Sequence, residues 1–365
     1  LTSQPLYRVY VTERDGGQTV ADFGDRASRV RWGRQLNVST LAEIEVSDDC
    51  LDIVRMCEPW AHELHIHRNG KEVWVGPISQ PVLRREGVSL LFARDMLAWL
   101  QVRAVHNLID HTTTGTGQTT PTVFAEAIIR DALSPEDSMG LLSLLTNMGE
   151  CPDAMASDHK VDPTLGDMSW DTGLATMFGT GIDIAAFGRR IMFGCAGACW
   201  GQQFEALVSD IDVQGDYALA QRGDLYASRW IVTGTTGSDG TSTVPVVGSA
   251  GGVSPRYGLV ERKVNSPATG TASGVQAQAQ RALTSQGPVP PFTLSEADEN
   301  SLDPGRLRCD TDWNWAETPA GSCVRGDLTV GDRRVAVDLR LAKLDVEWSS
   351  TDERVTPTFS TIKAD

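Results

Sequence analysis

Asn69-Gly70 sits between two runs in which apolar and polar residues alternate, HELHIHR (62–68) and KEVWVGPI (71–78). A two-residue type I′ turn needs positive φ at both central positions, which Asn and Gly adopt at least cost. With these residues at the turn, Arg68 faces Lys71 and the register follows. His67 is expected opposite Glu72, Ile66 opposite Val73, His65 opposite Trp74 and Leu64 opposite Val75. Side chains alternate faces along a strand. One expected face is therefore apolar, with Leu64, Ile66, Val73 and Val75. The other carries His65, His67, Glu72 and Trp74.

Three of the chain's six histidines lie in this hairpin. The helical zinc motif H-E-x-x-H places its second His four residues after the first. Here His62-Glu63 is followed by His65, one residue too early. His65 and His67 share a strand face, but the sequence shows no third ligand beside them and no partner to orient the rings. They read as strand histidines, with His65 and Trp74 as a cross-strand pair, and neither a metal nor another cofactor is expected.

The same strand-like alternation fills both ends of the chain. LYRVYV (6–11), RVRWGRQLN (29–37) and TLAEIEVS (40–47) read as strands, with Leu41, Glu43 and Glu45 opposing Ala42, Ile44 and Val46. PVLRREGVSLLFARD (81–95) is expected to turn at Glu86-Gly87 and lead into a helix over 94–102. The middle is mixed. VFAEAIIRDAL (123–133) is a helix with Thr122 as its expected cap, SWDTGLATMF (169–178) a second, and IDIAAFGRRIMFG (182–194) a hairpin turning at Gly188-Arg189. Strands return from about 206, with a Gly/Ser/Thr-rich loop at 234–252, an Ala-striped helix at 272–286 and an alternating run at 327–349. The fold class expected is α+β, mainly β, with two small β-barrel-like domains flanking a mixed α/β region. The expected boundaries are 1–105, 106–205 and 206–349, the last including an insert at 303–326, followed by a short polar tail at 350–365.

With 365 residues, 41% hydrophobic and 22% charged, the chain can bury several cores. No apolar run approaches the ~20 residues of a membrane helix. The net charge of −16 argues against a nucleic-acid binder, which needs basic patches to displace counterions from phosphates.

Catalytic motifs are absent. TGTGQTTP (114–121) lacks the lysine of a phosphate loop, and no G-x-S-x-G elbow occurs. SDIDVQGD (209–216) lacks the ligand spacing and closing Glu of a calcium loop and reads as strand and turn. Trp170, Trp313, Trp315 and Trp348 could line a sugar platform, though a strand Trp more often packs in a core or interface. The seven cysteines form no C-x-x-C. Cys195 and Cys199 read as small buried thiols. Cys309 and Cys323 flank DTDWNWAETPAGS and are the pair that an oxidising environment could bridge.

DDCLDIVRMCEPWAHELHIHRNGKEVWVGPISQPVLRREGVSLLFARDMLAWLQVRAV (48–105) resembles the N-terminal region of minor tail proteins of long-tailed phages infecting actinobacteria. The shared order is a P-W-x-H/Y-E-L strand, an R-x-G-x-x-V-W-x-G-P-I hairpin, a strand and a D-x-L-A-W-L helix. TGIDIAAFGRRIMFG (180–194) resembles the family's middle hairpin, and RYGLVERKVNSPATGTASGVQAQAQRALTSQGPVPPFTL (256–294) its later strand, Ala-rich helix and Pro-rich step. The segment 303–326 departs from the family's simpler strand and loop.

The resemblance implies a tail-tip hub similar to the baseplate hub of contractile-tailed phages. In such a hub two β-barrel domains per chain alternate around a homotrimer at the distal tip of the virion tail. Implied partners are the distal tail ring protein, the tape-measure protein and downstream tip, fibre or receptor-binding proteins. No sequence-specific nucleic-acid contact is implied, and an acidic ring lets DNA slide through. Two other readings compete. In one, Trp313 and Trp315 contact the host surface and the chain binds the receptor. In the other, the chain is a tail-associated cell-wall hydrolase, for which no catalytic constellation is found.

Overall fold

The structure is a computed structural model that describes residues 6–24, 26–84, 88–112, 114–134, 140–149, 159–161, 181–200, 203–209, 213–214, 218–221, 223, 226–236, 244–269, 275–276, 279–280, 282–283, 292–295, 301–302, 318–330 and 333–364. The N-terminal strands are β1 (Tyr7–Glu13), β2 (Thr19–Gly24), β3 (Ala27–Gln35), β4 (Leu41–Val46), β5 (His62–Arg68), β6 (Lys71–Val82) and β7 (Ser89–Arg94), with α1 (Leu51–Arg55) between β4 and β5. The middle holds α2 (Leu97–Gln101), β8 (Ile109–His111), α3 (Pro121–Leu133), β9 (Leu145–Asn147), β10 (His159–Val161), β11 (Ile182–Phe187) and β12 (Arg190–Cys195). Then come β13 (Gln203–Ser209), β14 (Val213–Gln214), β15 (Ala218–Gln221), β16 (Arg229–Thr236), β17 (Val244–Gly251), β18 (Glu261–Thr269), β19 (Phe292–Ser295), β20 (Ser301–Leu302), β21 (Cys323–Val330), β22 (Arg333–Ser349) and β23 (Glu353–Ala364).

Thirteen strands form one sheet, ordered β14-β20-β23-β22-β3-β4-β7-β6-β5-β1-β2, with β21 on β22 and β13 on β21. Both ends of the chain enter it. The 17-residue β22 pairs β21 through its first half and β3 through its second, Lys343 opposite Gln35 to Ser349 opposite Arg29. Its other edge carries β23, so 353–364, expected as part of a polar tail, is a strand that buries Val355 and Phe359. The protein is mainly β with several sheets, and among the described residues no sheet closes into a barrel.

Period-2 burial makes these strands what they are. In β4, Ala42, Ile44 and Val46 face the core while Leu41, Glu43 and Glu45 face outward, as the sequence pattern requires. One core packs β1–β7 against β21–β23 through Trp32, Ile44, Leu64, Ile66, Leu344 and their neighbours. A second lies under α2 and α3, where Leu100, Phe124, Ile128 and Ala132 meet Ile184, Ile191 and Phe193. The cap of α3 is Thr120, not Thr122: its Oγ1 accepts from Val123 N, and Pro121 occupies the first helical position, where a missing N–H costs nothing. Val232, Ala250, Val275 and Ala279 make a small cluster where the Ala-striped segment meets β16–β17. The helix expected at 169–178 lies outside the described residues.

The opening hairpin keeps its expected register only next to the turn. Arg68 faces Lys71 and His67 faces Glu72, but then Ile66 pairs with Trp74, His65 with Val75 and Leu64 with Gly76. A β-bulge takes up one residue at Val73. It turns both Val73 and Trp74 into the first core and sends Val75 into the second. His65 therefore stacks on Tyr10 instead of pairing with Trp74, with ring centroids 4.8 Å apart.

Beyond the bulge β6 leaves β5 and continues against β7, from Ile78 opposite Ala93. At the crossing a Cβ on Gly76 would lie 1.7 Å from the Arg94 carbonyl oxygen. Only glycine lets the two backbones approach so closely. Gly76→Ala is expected to cost ~3 kcal/mol or more, measured as a drop in the urea midpoint; an unchanged midpoint would refute the close crossing.

Candidate functional site

The most concentrated polar chemistry lies where the β11–β12 hairpin docks on the large sheet. Its turn is Gly188-Arg189, as expected, with Gly188 at φ +53°. Arg189 reaches across, donating from Nε to Glu63 Oε2 at 2.7 Å and from Nη2 to the Arg14 carbonyl at 2.7 Å. Glu63 is fully buried. Burial pushes its carboxyl up, and the Arg189 guanidinium pulls it partly back.

The other end of the hairpin is pinned in the same manner. Asp183 breaks the apolar run IDIAAF. Its carboxylate accepts from Arg340 Nη1 of β22 at 2.5 Å and from Asn37 Nδ2 at 2.8 Å. Asn37, at φ +65°, also exchanges bonds with the Ile184 backbone. Between the two pins Arg34, 2% exposed, lies over Trp32 and Phe187 and donates to the carbonyls of Thr318 and Val73. A further buried ion pair, Arg68 with Glu353, joins β5 to β23 and accepts the Tyr7 hydroxyl at 2.6 Å. Pairing satisfies these charges, which would otherwise be too costly to bury.

Cys323 is disulfide-bonded to Cys199, with Cα atoms 5.3 Å apart, and not to Cys309. The bridge closes the end of the middle region onto the start of β21, with Trp200 packed over Gly321 beside it. Cys195 is disulfide-bonded too, to a partner outside the described residues. The CAGAC cysteines are thus staples, contrary to the expectation of free thiols. Sequence spacing gave no sign of this, because the bridged partners are 124 residues apart. Cys50 and Cys57 are buried free thiols, and burial pushes Cys57 up to about 12, leaving it unreactive. Cys309, Trp313, Trp315 and Trp170 lie outside the described residues. Trp348 stacks on Tyr7 at 5.0 Å and serves the first core.

A peptide pair linked by Cys199–Cys323 is expected in a non-reducing digest, with none joining Cys309 to Cys323. Replacing both Cys199 and Cys323 by Ser is expected to cost about 2–4 kcal/mol by freeing a long loop; equal stability with and without the bridge would contradict this.

Asp95 has the profile of a candidate general acid. It is buried, and burial raises its carboxyl to about 6 against the pull of its donors. Those donors are Ser39 Oγ, Thr40 N, Thr40 Oγ1 and Leu97 N, which makes the residue a structural tie between the Ser39–Thr40 turn and the start of α2. No nucleophile–base pair faces it among the described residues. A groove of about 360 Å³ crosses the outer face of β4, β3, β22 and β23, lined by Arg31, Glu43, Asp345, Glu347 and Arg354 among others. Its Arg31 and Glu347 are salt-bridged to each other.

An unfolded Asp titrates near ~4. Because Asp95 is raised in the fold, its contribution is complete below that value and is lost as pH rises through about 6. The stability of the native chain minus that of Asp95→Asn is expected to fall by about 3 kcal/mol between pH ~4 and ~7. A flat difference in urea denaturation would exclude the shift.

One further polar cluster lies beside the β5–β6 turn. His65 Nδ1 lies 3.1 Å from Glu72 Oε2, and His67 Nε2 lies 4.0 Å from the same oxygen. Glu72, which the expected register already set opposite His67, is the third potential ligand of the cluster. His62 stays apart, accepting from Glu58 N.

No protein-family model and no curated protein matches the chain. Solved structures do. A tail protein from Neisseria meningitidis MC58 superposes with a TM-score of 0.62 at 12% identity, covering 97% of this chain and 96% of that one. The 43 kDa tail protein of prophage MuSo2 from Shewanella oneidensis gives 0.56 at 14% identity, over 98% and 100%. The fold resembles that of phage tail hub proteins. A third match, at 0.50 and 9% identity over 97% of this chain and 77% of that one, is an E. coli component of the type VI secretion system described as similar to the T4 bacteriophage tail proteins gp27 and gp5. Among the described residues no helix is long and apolar enough to cross a membrane.

Proposed function

We propose that this chain is a structural virion protein, a homotrimeric hub at the distal end of the tail tube of a long-tailed phage of actinobacteria. The single observation that supports it most is the end-to-end likeness to tail proteins, 97% of this chain against 96% of the Neisseria protein. A likeness over one domain would fit many functions; one over the whole chain fits a shared architecture. The order of hairpin and helix motifs along the sequence supports the narrower assignment to actinobacterial phages. In this reading, segments 1–105 and 206–349 are the two ring-forming modules of each protomer, and 106–205 the region between them. A closed ring needs heterologous contacts, one face of each chain meeting a different face of the next. The partners are the distal tail ring protein above, the tape-measure protein inside and tip, fibre or receptor-binding proteins below. The role is mechanical: the ring seals the tube and opens for DNA ejection, and the net charge of −16 keeps the passing DNA from sticking.

Immunogold electron microscopy of phage particles, with antibody against this chain, tests the proposal. Label at the junction of tube and tip, on intact or partly disrupted tails, is the expected result. Label along peripheral fibres would overturn the hub in favour of receptor binding through Trp313 and Trp315. No label on disrupted tails would remove the chain from the virion.

A further inference from the structure

We propose that His65, His67 and Glu72 form a three-ligand site for a divalent first-row transition ion of the zinc type. Thr12 Oγ1 donates its hydrogen to the Glu13 carbonyl at 2.8 Å, so towards His65 Nε2, 3.0 Å away, it acts as an acceptor. His65 therefore carries its hydrogen on Nε2, and in the neutral ring Nδ1 holds a lone pair. That lone pair points at a carboxylate oxygen 3.1 Å away. Two acceptors at this distance repel unless a cation lies between or beside them. The cation is either a second proton on His65 or a metal ion.

His67 favours the metal. Its Nε2 faces the same Glu72 oxygen, and its ring bonds the Gly70 backbone. The donor atoms of all three residues lie within 4.8 Å of one another. Bonds of ~2.0–2.2 Å to a common ion place ligand atoms about 3.0–4.2 Å apart, so a closure of about 1 Å by the half-buried His67 and exposed Glu72 brings all three into range. Two imidazoles and one carboxylate are the donor set that suits zinc and its neighbours. The outer contacts that orient metal-binding rings are also in place. Thr12 fixes His65, and Tyr10 stacks on His65 while its hydroxyl meets His67 Nε2 at 2.9 Å, a bond the ion would replace.

The position gives the ion a task. A Cβ on Gly188 would lie 2.8 Å from Glu72 Oε1, and the Arg189 backbone bonds the same carboxylate. An ion held by β5 and β6 would thereby stiffen the contact between this hairpin and the β11–β12 turn.

Titration of the purified, tag-free full chain with Co²⁺, followed by visible absorption and by Zn²⁺ competition, tests the site. One Co²⁺ per chain with a ligand-field band, displaced by Zn²⁺, is expected. Glu72→Gln and His67→Ala should each weaken it at least ~10-fold, while His111→Ala, whose ring bonds Thr116 elsewhere, should leave it unchanged. Far-UV circular dichroism checks that each variant is folded. No band at millimolar Co²⁺, or a band equally strong in Glu72→Gln and His67→Ala, would overturn the proposal; the first result would leave His65 as an imidazolium paired with Glu72.

Discussion

Strand β22 carries most of what joins the two ends of this chain. One of its edges is shared between β21 and β3, and the other is covered by β23. The strand is therefore paired on both edges over most of its length, which leaves little edge open to aggregation. Arg29 and Arg31 reach Glu347 across 318 and 316 residues of sequence. Those half-exposed pairs add little energy. The backbone ladder and the shared core beneath it, with Leu344 and Val346 against Trp32 and Val30, hold the ends together. Loop closure over such a span is entropically costly but grows only slowly with length, so one long ladder can sustain it.

The middle region is attached by a different means. The β11–β12 hairpin meets the sheet through buried charges: Glu63 with Arg189, Asp183 with Arg340, and Arg34 against backbone carbonyls. Buried ion pairs are weak sources of stability compared with apolar packing, but each punishes a misplaced neighbour severely. Their effect here is to fix orientation.

Local rules read much of this fold. Alternation located β3, β4 and β5, turn chemistry found Gly70 and Gly188, and helical spacing found α2 and α3. Reading failed where a single residue answered to a distant contact. The bulge at Val73 exists because Trp74 and Val75 fill different cores, which a period of two cannot express. Thr120 replaces Thr122 as cap because Pro121 sets the helix start. The Cys199–Cys323 bridge depends on which strands lie side by side. Asp183 was legible in part, as a charge inside an apolar run, but its partner Arg340 was not.

The sequence by itself determined the class of elements, their approximate limits, the acidic charge and the order of motifs that suggested a tail protein. These follow from periodicity and residue type, which act over a few neighbours. Only the tertiary structure decided that the first and last strands share one sheet, which cysteines pair, where the register slips and which buried charges meet. Such pairings are set by close packing between segments hundreds of residues apart. Many partners of the same chemical type compete for each of them, and only the three-dimensional arrangement selects one.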